Sequence, residues 1–108
     1  MQAEDIMFCV NTVSTLLPKL RDSLGLTQRE FSSFLGISRQ SLIDLEHQNR
    51  KITRPVLASI ISYFSLREET AHILFEEKLY NNSYVNQLGF SLELIHHLYG
   101  FLEETDCE

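Results

Sequence analysis

The stretch from Thr27 to Glu46 constrains this chain most, because a helix has to start, stop and restart within it. Thr27-Gln28-Arg29-Glu30 has the spacing of a capping box: the threonine hydroxyl can accept from the amide of Glu30 while the glutamate side chain returns to the amide of Thr27. Gly36 then supplies the left-handed residue that ends a helix without a Cβ clash. Only Gly36 and Ile37 intervene before Ser38, a strong N-cap residue, opens the next helix. Phe31, Phe34 and Leu35 are the expected buried face of the first helix, and Leu42 and Leu45 that of the second. Two helices joined this closely form a tight helix-turn-helix.

Apolar residues recur at helical spacing through the rest of the chain, and no stretch alternates apolar and polar side chains as a half-buried strand would. The expected fold is all-α. Ile6, Val10, Val13, Leu17, Leu20 and Leu24 make one stripe interrupted by Pro18. Because proline is tolerated in a first turn, the pattern predicts a helix capped by Ser14 or Thr15 and running to Leu24, with residues 4–12 a separate or kinked leading helix. Residues 47–53 lack a clear period, and Thr53 followed by Arg54-Pro55 opens a helix carrying Val56, Leu57, Ile60, Ile61 and Phe64. Ser65-Leu66-Arg67-Glu68 reads as a second capping box, whose helix buries Ala71, Leu74, Phe75 and Leu79 and is broken by Asn81-Asn82-Ser83. A last helix is predicted from Ser91 to about Glu104, presenting Leu94, Ile95, Leu98, Tyr99, Phe101 and Leu102 over an arc wide enough for two separate contacts.

With 108 residues and 44% hydrophobic content, the chain matches one compact domain able to bury a core. Its formal net charge of -6 argues at first sight against a polyanionic partner. The distribution reverses that impression. Residues 14–65 hold seven basic side chains against four acidic ones, whereas residues 66–108 hold two against nine. A basic middle and an acidic end suit different partners. No apolar run approaches the length of a membrane span, and the acidic start with Glu4 and Asp5 differs from a secretory leader, so a cytoplasmic protein is expected. Cys9 and Cys107 are then expected as reduced thiols, a disulfide between them being the alternative.

The run from Thr27 to Glu46 resembles, without a gap, the helix-turn-helix of the Xre family, which includes the lambda-type repressors and Cro. Leu16 to Leu26 resembles the family's first helix, and Val56 to Phe64 its fourth. Departures occur at Ser32, where the family has alanine, and at His47-Gln48, where it has Asn-Gly before a shorter loop. The resemblance implies a lambda-repressor-like helix-turn-helix bundle with additional C-terminal helices. Residues 1–13 would form a helical extension, 14–65 the DNA-binding domain, and 66–108 an acidic, dimerising segment.

It also implies a DNA-contacting set of Gln28, Ser38, Arg39, Gln40, Ser41, Ile43, Asp44, His47, Arg50 and Lys51. Arg39 can bridge guanine O6 and N7, Gln40 can bridge adenine N6 and N7, Ile43 can meet a thymine methyl, and Asp44 can accept from a cytosine amino group. Gln28 would hold a backbone phosphate at a helix N-terminus, with Arg50, Lys51 and Arg54 adding nonspecific attraction. The expected function is that of a sequence-specific transcriptional regulator, a repressor binding double-stranded DNA as a homodimer. The alternative is a protein-interaction module, antitoxin-like or an anti-regulator subunit, whose acidic C-terminal helices hold a protein partner. Enzyme, metal and cofactor chemistry find no support: His96 and His97 are adjacent and point to different helix faces, and no nucleophile-base signature or glycine-rich phosphate loop is present.

Overall fold

A computed structural model describes residues 3–101, and every helix and turn within them follows from the patterns above or corrects them. The elements are α1 (Ala3–Ser23), α2 (Gln28–Leu35), α3 (Arg39–Glu46), α4 (Arg54–Ser65), α5 (Glu68–Glu76), a 3-10 turn (Leu79–Asn81), α6 (Ser83–Gln87) and α7 (Leu92–Tyr99). No strand occurs among the described residues. A hydrophobic core takes side chains from all seven of these α-helices, including Leu17 and Leu20 of α1, Phe31 of α2, Leu42 of α3, Ile60 of α4, Leu74 of α5, Val85 of α6 and Ile95 of α7.

The leading segment and the helix after it are one continuous element, not two, and neither Ser14 nor Thr15 caps a helix. Pro18 lies inside α1, where it removes a backbone hydrogen bond at a cost of about 3 kcal/mol. The stripe Cys9, Val10, Val13, Leu16, Leu17 and Leu20 is buried along its whole length. Each such side chain contributes about 1.5–3 kcal/mol on burial, so the continuous face outweighs the proline. Ser14 instead donates from Oγ to the Leu45 carbonyl at 3.0 Å, joining α1 to the last turn of α3.

The second capping box does not form either. Ser65 ends α4 and is fully buried, its hydroxyl 2.7 Å from the Tyr80 hydroxyl, and α5 begins after Arg67 without a side-chain cap. Thr70 closes this corner by donating to the Phe64 carbonyl at 2.7 Å. Asn82 acts as a cap more than as a breaker: α5 has already ended at Glu76, and Asn82 Oδ1 accepts from the amide of Tyr84 at 2.9 Å to start α6. Its Nδ2 donates to the Asp5 carbonyl at 2.9 Å, and the Ser83 hydroxyl meets the Asp5 carboxylate, which docks α6 on the start of α1.

Ser91 caps α7 as expected, but the helix stops at Tyr99, with Gly100 left-handed at φ 75°. Its apolar arc is partly spent inside the chain. Ile95 is fully buried, Tyr99 donates from its hydroxyl to the Ser65 carbonyl at 2.8 Å, and Phe101 packs against Phe75 and Tyr99 with centroids 5.4 Å apart in each case. Leu98 remains 50% exposed. Leu102, Glu103, Glu104 and Cys107 lie outside the described residues.

Candidate nucleic-acid interface

The capping box at Thr27 forms in full: the Thr27 amide donates to Glu30 Oε1 at 2.9 Å, and the Glu30 amide donates to Thr27 Oγ1 at 3.1 Å. Thr27, through its backbone amide first and its side chain second, holds the Glu30 carboxyl below its usual range. Gly36 adopts φ 74°, and its amide and that of Ile37 close back on the carbonyls of Ser33 and Ser32. Ser38 accepts from the Ser41 amide at 3.0 Å and starts α3. The connection between α2 and α3 is therefore as short as the sequence requires.

The inward face of α2 differs from expectation at one residue. Phe31 is fully buried, but Phe34 is 48% exposed, capping the Tyr63 ring edge-on at 4.2 Å, and Ser32 takes the buried neighbouring position. A serine fits there because its hydroxyl donates to the Arg29 carbonyl at 2.9 Å.

On α3, Leu42 and Leu45 face the core while Arg39, Gln40 and His47 are exposed and Ser41, Ile43 and Asp44 are half-buried. The outer face is already wired internally. Gln40 Nε2 donates to Asp44 Oδ1 at 3.1 Å, and Ser41 Oγ accepts from Ser38 Oγ at 2.9 Å and from Arg50 Nη1 at 2.6 Å. His47 Nδ1 lies 2.8 Å from the Ile43 carbonyl oxygen. Arg50 is thus held against the start of α3 by a loop in which Gln48 takes φ 60°. Lys51 is exposed beside it, and Ile52, which no periodicity singled out, anchors the loop in the core.

Gln28 sits at the first turn of α2, where its Nε2 donates to Glu46 Oε1 at 3.0 Å. Glu46 also receives Arg21 Nε at 2.8 Å, and the carboxylate side chain is only 5% exposed. Above this buried pair opens a groove of about 780 Å3 lined by Arg21, Thr27, Gln28, Arg29 and Arg39. Arg29 and Arg39, with Arg21 paired to Glu46 beneath them and the positive end of α2 beside them, make it suited to an anion. Arg21 and Arg29 were absent from the set expected from sequence. Arg29 could have been found as the exposed cation beside Gln28 in the first turn of α2. Arg54, expected to add nonspecific attraction, is exposed and places its guanidinium 5.6 Å from the Tyr84 ring centroid.

The tight α2–α3 pair, the outward face of α3 and the cationic groove at the α2 terminus have the layout of a helix-turn-helix. Residues 19–69 match the family described as Helix-turn-helix. No curated protein and no solved structure matches the chain. The family match, over 51 of the 108 residues, supports a DNA-binding regulator of the helix-turn-helix type similar to the Xre and lambda-repressor-like proteins, and the all-helical bundle agrees with that fold. This family is one of DNA-binding regulatory domains, not of enzymes. Among the described residues, no helix is long and apolar enough to cross a membrane.

Proposed function

We propose that this protein is a sequence-specific transcriptional repressor that binds double-stranded DNA as a cytoplasmic homodimer. The observation that carries this reading is the exposed first turn of α3, where Arg39 and Gln40 project beside Arg29, Arg50 and Lys51 with the core behind them. Base edges would be met by Arg39, Gln40 and Ile43, and phosphates by Arg29, Arg50, Lys51 and the remaining donors of Gln28, with Ser38, Ser41 and His47 at the margin. Repression needs nothing beyond occupation of a site that overlaps a promoter. Two copies reading half-sites about one helical turn apart would supply the affinity that a single short helix lacks.

A fluorescence anisotropy titration against selected and scrambled duplexes at two salt concentrations tests this. Saturable, sequence-selective binding that weakens with salt is expected, because phosphate neutralisation releases counterions. Equal affinity for both duplexes would reject sequence reading. Arg50→Ala should weaken binding to both duplexes alike, whereas Arg39→Ala should act mainly on the selected one.

A second reading, a protein-interaction module, is favoured by one feature: an open cleft of about 750 Å3 lined by Glu68, Glu69, His72, Tyr99 and Phe101 on the acidic half of the chain. It would hold a basic partner. Failure of DNA selectivity in the same titration would support it.

A further inference from the structure

We infer that Asp44 is a positioning residue, which turns the side-chain amide of Gln40 so that it accepts adenine and disfavours guanine. The inference rests on the reading of α3 as the helix that meets DNA. Gln40 and Asp44 lie one helical turn apart on the outer face, and Gln40 Nε2 donates to Asp44 Oδ1 at 3.1 Å. Chemistry fixes the direction of this bond. A carboxylate offers only acceptors, so the amide must turn its NH2 toward Asp44 and its carbonyl oxygen away. Asp44 is half-buried and so is steadied by its surroundings, while Gln40 is exposed and available to a ligand. Two neighbouring nitrogens are held elsewhere, Arg50 Nη1 by Ser41 Oγ and His47 Nδ1 by the Ile43 carbonyl.

A glutamine amide has one carbonyl acceptor and two hydrogens. With one hydrogen given to Asp44, one acceptor and one donor remain. Adenine presents the complement in the major groove, an N6 amino donor beside the N7 acceptor. Guanine presents two acceptors there, O6 and N7. To bond both guanine acceptors, Gln40 would have to withdraw its hydrogen from Asp44, leaving the carboxylate without that donor and close to the lone pairs of the base; the one hydrogen it keeps can make only a single bond there, against two to adenine. Asp44 therefore adds selectivity through Gln40 instead of accepting from a cytosine itself.

The test is in vitro selection from a random duplex library with the full chain and its Asp44→Ala, Asp44→Asn and Gln40→Ala variants, with melting temperatures recorded for each. The unsubstituted protein is expected to select adenine at one position of each half-site. Asp44→Ala should cut the adenine-over-guanine preference at that position by about tenfold with an unchanged melting temperature. Asp44→Asn should keep only part of the preference, since its carbonyl can accept from Gln40 Nε2 but its flipped amide can equally donate to Gln40 Oε1 and so no longer fixes the direction. Adding Asp44→Ala to Gln40→Ala should change nothing further, because the two act as a unit. An adenine preference indifferent to Asp44→Ala, or a loss confined to a cytosine at another position, overturns the positioning role while leaving DNA reading intact. A chain that selects no site at all overturns the DNA-reading proposal, and this inference with it.

Discussion

Arg21 Nε donates to Glu46 Oε2 at 2.8 Å, tying the last turn of α1 to the last turn of α3 across a carboxylate that water barely reaches. Gln28 Nε2 supplies a further donor to the same carboxylate at 3.0 Å, and Arg21 Nη1 reaches the Leu26 carbonyl at 3.2 Å. The three helices of the reading unit thus converge on one buried acidic side chain, which sets the pitch of α3 against α2.

Removing one partner of this pair should cost far more than removing both. Arg21→Ala leaves Glu46 desolvated with Gln28 as its remaining donor, and truncating one side of a buried pair typically costs about 3–5 kcal/mol. Because the Arg21 side chain keeps 19% exposure, about 3 kcal/mol is expected in urea unfolding. The double replacement Arg21→Met with Glu46→Leu should recover most of that loss. A single variant as stable as the parent would show that the pair does not organise the fold.

The turn makes a separate prediction. A Cβ added at Gly36 would meet nothing within 4 Å, so the cost of substitution there is purely one of backbone conformation at φ 74°. Gly36→Val should destabilise by about 1–2 kcal/mol, seen as a lowered melting temperature, whereas Gly36→Asn should be milder because asparagine tolerates this region. DNA binding should fall in step with the folded fraction.

These local features were legible in the sequence because each depends on residues within one turn of each other: Thr27 with Glu30, Gly36 with the end of α2, Ser38 with Ser41. The misread features are set by distant residues. Ser65 has the same chemistry as Ser38, yet Tyr80 claims its hydroxyl and burial removes it from any capping role. Pro18 looks like a helix start because proline favours a first turn, although the apolar stripe runs through it; burial of α1 on one face from Cys9 to Leu20 decides for the stripe. The pairing of Arg21 with Glu46 likewise spans 25 positions and carries no local signal.

Alkali should destabilise the fold through Cys9 before it acts through tyrosine. Burial, with the Asp5 carboxylate adding to it, pushes the Cys9 thiol from 9.0 up to about 12, and burial pushes Tyr80 from 10.0 up to about 12. Below pH 9 both states of the chain hold the Cys9 proton and stability is unaffected. Between 9 and about 12 the unfolded chain has released a proton that the folded chain keeps, so stability falls as pH rises. Urea midpoints measured from pH 7 to 10 should decline above 9, and Cys9→Ala should flatten the decline in that first interval. An identical slope in the variant would remove Cys9 as the cause.

The proposed homodimer has its best seam on α7, though on a narrower face than the six apolar residues suggest. Ile95 is sealed in the core, and Tyr99 and Phe101 are occupied with Ser65 and Phe75, which leaves Leu98 as the large apolar side chain that α7 offers to solvent. Cutting the chain at Asn82 would be a poor probe, because it removes Tyr84, Val85 and Ile95 from the core and tests folding more than pairing. Leu98→Glu is the sharper probe: at 50% exposure the new charge stays hydrated in a monomer, so the melting temperature should hold, while two apposed copies would bury like charges without partners. Light scattering at tens of micromolar should give a dimer for the parent and a monomer for Leu98→Glu, with weaker binding to paired half-sites and unchanged binding to a single one. A monomeric parent would reject the dimer in solution, and a dimeric variant would place the seam on another face, where Leu66, at 67%, has the highest fractional exposure of the large apolar side chains among the described residues.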